Sequence, residues 1–144
     1  MKYQDLLQQI AKNKIGPVYF FQGEEEFLKK EALQVLYGKL VAEGQKDFNY
    51  ALLYGKEVSA GVLIDQCQAL PFMSDRRLVV VQEIEKFQDK AKLLSYLEQP
   101  NPSTCLVLVA GKLDNRSRKT EFYAALKEQE VVFWPLFKNE LKKW

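Results

Sequence analysis

The stretch Val18-Tyr19-Phe20-Phe21-Gln22-Gly23-Glu24-Glu25-Glu26-Phe27-Leu28-Lys29-Lys30 decides the fold. Four consecutive apolar residues, all β-branched or aromatic, predict a short strand buried on both faces. Gly23 turns the chain, and Leu28, Ala32, Leu36 and Leu40, with Val35 beside them, step by four. That spacing predicts a helix over residues 24–42, ending near Gly44.

The same alternation extends outward in both directions. Upstream, Leu6, Leu7, Ile10 and Ala11 predict a helix over residues 3–14, which Gly16-Pro17 breaks. Downstream, residues 47–54 predict a second strand, and Ser59 is placed to cap a helix carrying Leu63, Cys67 and Leu70, which Pro71 stops. Leu78-Val79-Val80-Val81 is the third strand and Cys105-Leu106-Val107-Leu108-Val109 the fourth. Between them a helix over residues 86–98 buries Leu93, Leu94 and Leu97, and Pro100 and Pro102 bracket a turn. A helix over 119–128, a fifth strand at Val131-Val132-Phe133-Trp134 and the start of a helix over 138–144 complete the reading. Apolar strands separated by helices predict an α/β domain: a five-stranded parallel sheet flanked by helices, with right-handed crossovers.

At 144 residues the chain has room for one domain. Such a domain buries roughly 70% of the surface its unfolded chain exposes and needs no disulfide or metal to fold. There is no histidine. That excludes Ser-His-Asp and Cys-His nucleophile systems and histidine-based zinc sites. Cys67 and Cys105 lie far apart inside apolar stretches and read as buried, reduced thiols. The net charge of +2 is too small to argue for nucleic-acid binding by itself. The N-terminal residues form no signal peptide or membrane span, so the expected compartment is the cytoplasm.

In α/β folds the turn after the first strand is the usual phosphate cradle. A nucleotide-hydrolysing turn would read G-x-x-x-x-G-K-[ST]. Here one glycine is left, three carboxylates fill the first helical turn, and Lys29 and Lys30 fall a turn too late. The third strand ends Val81-Gln82-Glu83, where a magnesium-binding strand would end in Asp. These residues argue against ATP hydrolysis, and no cofactor or metal is expected.

The ordered run Gln68-Ala69-Leu70-Pro71-Phe72-Met73-Ser74-Asp75-Arg76-Arg77-Leu78-Val79-Val80-Val81 resembles one family, the delta subunit of bacterial DNA polymerase III. That subunit is the part of the clamp loader that opens the sliding clamp. Supporting matches are Pro17-Val18-Tyr19 before Gly23-Glu24-Glu25, the phrase CLVLVAGK at 105–112 with Asp114 after it, and Pro135-Leu136 leading to Leu141-Lys142-Lys143-Trp144. The resemblance implies an N-terminal domain of AAA+ type without a working P-loop, followed in the family by lid and collar domains. Residues 1–144 would then be that first domain alone. It also implies membership of a holoenzyme classed as DNA-directed DNA polymerase, a nucleotidyltransferase, with no intrinsic activity in this chain. The implied partners are the sliding clamp, the delta prime and tau/gamma loader subunits, and DNA only within the assembled complex.

In the family, two adjacent hydrophobic residues after the Gln-Ala helix insert into a pocket on the clamp. By position these are Phe72 and Met73, with Leu70 and Pro71 shaping the approach. The family's best-known pair is Leu then Phe, so this chain keeps the chemistry and alters the shape. Large neighbouring apolar residues at a turn cannot easily both point inward, and an exposed aromatic is a common anchor in a partner's pocket. Pattern alone favours a turn folded back over the core; the resemblance reverses that preference. Arg76 and Arg77 are then expected as electrostatic contacts flanking the wedge. Arg116, Arg118 and Lys119 follow the fourth strand, at the opposite sheet edge, and read as solvated loop charge or as contacts to DNA or a neighbouring subunit. The competing class is a stand-alone α/β nucleotide-binding or carboxylate-dependent enzyme domain using Glu24, Glu25 or Glu83. A nonspecific DNA-binding domain is disfavoured by the balanced charge.

Overall fold

The computed structural model describes residues 1–133. Strands β1 (Val18–Gln22), β2 (Tyr50–Tyr54), β3 (Arg77–Gln82), β4 (Thr104–Val109) and β5 (Glu130–Val132) form one sheet in the order β2-β3-β4-β1-β5. Every pairing is parallel, with Phe20 opposite Leu108 and Val80 opposite Val107. Alternate residues of β1, β3 and β4 feed two cores. Val18, Phe20, Val79, Val81, Leu106 and Leu108 pack under α4 (Ala60–Gln68), α5 (Lys90–Glu98) and α7 (Glu121–Ala125). Tyr19, Phe21, Leu78, Val80, Cys105 and Val107 pack under α1 (Tyr3–Ala11) and α2 (Glu26–Leu40). Two covered faces explain why β1, β3 and β4 read as continuous apolar runs.

Several boundaries differ from the sequence reading. Residues 47–54 are not one strand: α3 (Lys46–Asn49) precedes β2, because Gln45 accepts backbone bonds from Phe48 and Asn49 and closes a helical turn. The helix expected from residue 86 starts at Lys90. Before it, Glu83 adopts a left-handed conformation and a 3₁₀ turn at Ile84–Lys86 carries Ile84 and Phe87 into the core. The helix expected over 119–128 is reduced to α7 and a 3₁₀ turn at Lys127–Gln129, and a separate short helix, α6 (Asn115–Arg118), precedes it. Asp114 caps α6 by accepting from the Ser117 N–H at 2.7 Å. Trp134 of the expected fifth strand, the helix over 138–144 and the matches at Pro135-Leu136 and Leu141 to Trp144 lie outside the described residues. Among those described, no helix is long and apolar enough to cross a membrane.

Candidate functional site

The loop between α4 and β3 carries the predicted wedge at the amino end of the sheet. Ser59 starts α4 as expected, accepting from the Val62 N–H at 3.2 Å. The helix ends at Gln68 because Leu70 precedes Pro71, and the chain turns extended at Ala69. Leu70 is 84% exposed, Phe72 50% and Met73 81%. The turn is not folded back over the core: both large side chains face outward, with Pro71 half-buried beneath them.

This loop is irregular but tightly held. Phe72 N–H donates to Asn49 Oδ1 and Asn49 Nδ2 donates to Phe72 O, each at 2.7 Å. Gln45 Nε2 donates to Met73 O at 3.1 Å, and Gln45 Oε1 accepts from Asn49 Nδ2 at 3.0 Å. Asn49 is fully buried, and Met73 sits at φ 54°, a left-handed conformation that a non-glycine residue keeps only when its surroundings impose it. The Phe48 ring rests on Phe72, centroids 4.8 Å apart.

The two arginines after the wedge are structural props. Arg76 donates to Ile15 O at 2.7 Å and Gly16 O at 2.9 Å, tying the loop to the connection before β1. Arg77 is 4% exposed and donates to Gln66 O and Gln66 Oε1 at 3.2 and 2.9 Å. It thereby caps the last turn of α4, where a cation complements the helix dipole. Asn101 Nδ2 and Thr104 Oγ1 both donate to the next carbonyl, Cys67 O. Burial lowers the Arg77 pKa. The expectation that Arg77 flanks the wedge as a surface contact is corrected by this burial, since a guanidinium enclosed against Gln66 offers little to a partner. Arg76, half-buried, keeps only part of its surface free.

At the carboxyl end of the sheet the first turn is closed by the protein itself. Lys29, 3% exposed, donates its ammonium to Gly23 O at 2.9 Å and Ala110 O at 3.0 Å and pairs with Glu26 at 2.7 Å. Gly23 N–H donates to Gly111 O and Glu25 N–H to Phe133 O. Phe27 N–H is taken by Glu25 Oε1 at 3.2 Å. Three amides of the turn, those of Gly23, Glu25 and Phe27, therefore already have carbonyl or carboxylate partners, and with the Lys29 ammonium turned inward the residues do not fit a nucleotide. A polar cleft of about 360 Å³ adjoins this turn, lined in part by Glu26, Tyr54, Gln82, Glu83 and Glu85. Its carboxylates also have local partners: Glu83 pairs with Lys86, and Glu85 accepts from Gly111 N–H. Glu24 pairs with Lys112 at 3.6 Å. Glu24, Glu25 and Glu83 thus hold an ion pair, a helix cap and a second ion pair.

Arg116 and Arg118 lie on α6, not in a loop, and Lys119 follows as its C-cap. All three are exposed at the carboxyl edge, with Arg118 reaching Gln22 Oε1 at 3.4 Å. The wedge and this basic cluster occupy opposite ends of the strands. Sequence reasoning missed Gln45, Phe48, Asn49 and Gln66. The polar run around Asp47 and Asn49 carried a turn signal, but the partner, Phe72, is remote in sequence.

A family model described as DNA polymerase III, delta subunit, matches residues 19–133. The chain belongs to the DNA polymerase III delta subunit family. DNA polymerase III subunit delta of Bacillus subtilis is 32% identical over 129 residues, which cover 81% of this chain and 37% of that protein. The solved DNA clamp loader delta protein of Bacillus subtilis superimposes with a TM-score of 0.82 at 26% identity, covering 92% of this chain and 42% of that one. A gamma subunit-related protein of DNA polymerase III from Thermotoga maritima shares the fold, with a TM-score of 0.64 at 15% identity over 98% of this chain and 49% of its own. This delta-family chain thus spans well under half the length of its curated relative, and its five-stranded parallel sheet has the fold of the solved delta protein.

Proposed function

We propose that this chain is the N-terminal domain of a longer delta subunit, and that it binds the sliding clamp through Leu70, Pro71, Phe72 and Met73. The observation that carries the reading is the pair Phe72 and Met73, large, adjacent and exposed on a loop whose backbone is fixed by part-buried hydrogen bonds to Asn49. A rigid apolar anchor loses little conformational entropy on docking. A clamp bound by this wedge more tightly when open than when closed would shift toward the open ring by that difference in affinity. Opening then draws on ATP bound by sibling subunits, since the first turn here is occupied by Lys29 and by backbone carbonyls.

In the assembled cytoplasmic loader, the delta prime and tau/gamma subunits would be the neighbours. Arg116, Arg118 and Lys119 are available to DNA or to a neighbouring subunit, on the edge away from the clamp. The test is calorimetric binding of the chain to its sliding clamp, beside a Phe72→Ala, Met73→Ala variant of verified fold. Loss of at least tenfold in affinity with an unchanged melting temperature supports the wedge. Equal binding by both proteins refutes it.

A further inference from the structure

We infer that Phe48 is a direct apolar contact of the docking face, so that two segments of chain, and not one, meet the clamp pocket. The inference rests on the reading of Phe72 and Met73 as the wedge. Adjacent positions on α3 have opposite fates: Asn49 is fully buried, while Phe48 is 54% exposed. Phe48 belongs to neither core, and its aromatic neighbour is Phe72, whose ring is tilted 34° against its own. An offset pair of this kind is a favourable contact, yet here it leaves about half of each ring in water.

In sequence Leu70 and Met73 flank Phe72, so four large apolar side chains are exposed on two short segments joined by the Phe48–Phe72 contact. A contiguous exposed apolar patch marks an interaction surface more strongly than the same residues scattered singly. The exposed Phe27 and Tyr54, by contrast, lie at the carboxyl end of the sheet. Phe48 is also placed as firmly as the wedge. Its N–H donates to Gln45 O at 3.0 Å, and the same Gln45 holds Met73 O. One polar network therefore sets the spacing of Phe48 and Phe72, and a pocket that accepts one ring meets the edge of the other. The occupant is the apolar pocket that takes Phe72 and Met73.

The experiment places a benzophenone amino acid at position 48 of the chain and irradiates it with the purified clamp. Position 27, at the other end of the strands, is the control. A covalent adduct is expected from 48 and none from 27, and Phe48→Ala is expected to lower affinity about tenfold, with Phe48→Leu recovering part of the loss. No adduct at 48 overturns the inference even if Phe48→Ala binds weakly, because Phe48 then only supports Phe72. An adduct with unchanged affinity in Phe48→Ala also overturns it, leaving the ring at an indifferent rim. Both outcomes leave the wedge standing, provided the Phe72→Ala, Met73→Ala variant loses binding. If that variant binds normally, the wedge reading falls and this inference with it.

Discussion

Asn49 and Phe72 exchange two hydrogen bonds of 2.7 Å, side-chain amide against backbone, across 23 residues of sequence. The carboxamide stands in for a neighbouring strand, pairing one residue of an otherwise irregular loop. Asn49→Ala frees that backbone, and ordering a residue costs about 1–2 kcal/mol. With Phe72 and Met73 docking as proposed, clamp affinity should fall about tenfold, with an unfavourable entropy change in calorimetry. Amide exchange at Phe72 should accelerate far more than in β3 or β4. Fast exchange at Phe72 with undiminished affinity would show that loop order contributes nothing to docking.

The sheet was legible because β1, β3 and β4 are buried on both faces, so burial alone demands runs such as Leu78 to Val81. Lys29 was not, although it stands in the stretch that decides the fold. Helical spacing places it beside the apolar stripe, but its carbonyl partners come from the turn after β1 and the end of β4. The run Leu70 to Met73 stood out as an ordered motif, whereas the bonds that hold it did not. Residues 47–54 carry strand-like composition, and the bonds that make α3 and hold Phe72 form only once remote segments meet. Arg77 misled for a related reason: a tandem arginine reads as surface charge until the carbonyl of Gln66 is placed beside it.

Lys29 tests the closed first turn. Its ammonium is buried against Gly23 O and Ala110 O, so Lys29→Met leaves both carbonyls without that donor. Hydrogen bonds from a charged group contribute about 1.5–3 kcal/mol, and the expected loss of stability in urea unfolding is about 2–4 kcal/mol. Magnesium-ATP at millimolar concentration should leave the wild-type melting temperature unmoved. A loss below about 1 kcal/mol would mean that water from the adjoining cleft replaces the ammonium. A rise in melting temperature with ATP would contradict the occupied turn directly.

Gly23 is constrained twice over. Its φ of 133° is one that side-chain-bearing residues rarely adopt, and a Cβ there would run into the carbonyl oxygen of Phe133. That carbonyl accepts from Glu25 N–H, while Phe133 N–H donates to Gln22 O at 2.8 Å, so the two backbones are locked together. Gly23→Ala should therefore cost more than the ~1 kcal/mol typical of backbone effects alone, on the order of 3 kcal/mol. Gly38→Ala, on α2 with open space around its Cβ, is the comparison and should be neutral or stabilising by about 0.5–1 kcal/mol. Equal effects at the two sites would show that the β1–α2 turn can shift away from Phe133.

The buried thiols make the fold sensitive to alkali. Burial pushes Cys67 and Cys105 up to about 12, from an ordinary value of 9.0. The raised folded values mean that the neutral thiol is favoured in the native state, so their contribution is fully present below pH 9. Above pH 9 unfolded thiols ionise while folded ones do not, and stability falls by about 1.4 kcal/mol per pH unit for each thiol until about pH 12. Tyr96 and Tyr123, raised by burial from 10.0 to about 12, add to the slope above pH 10. Urea midpoints measured from pH 7 to 10.5 should therefore hold steady and then drop. A Cys67→Ala, Cys105→Ala variant should begin from lower stability, because of the cavities it creates, and decline less steeply between pH 9 and 10. An unchanged slope would mean that other groups govern the alkaline limb, while rapid thiol labelling of the native protein at pH 7 would show that the core opens locally around α4 or β4.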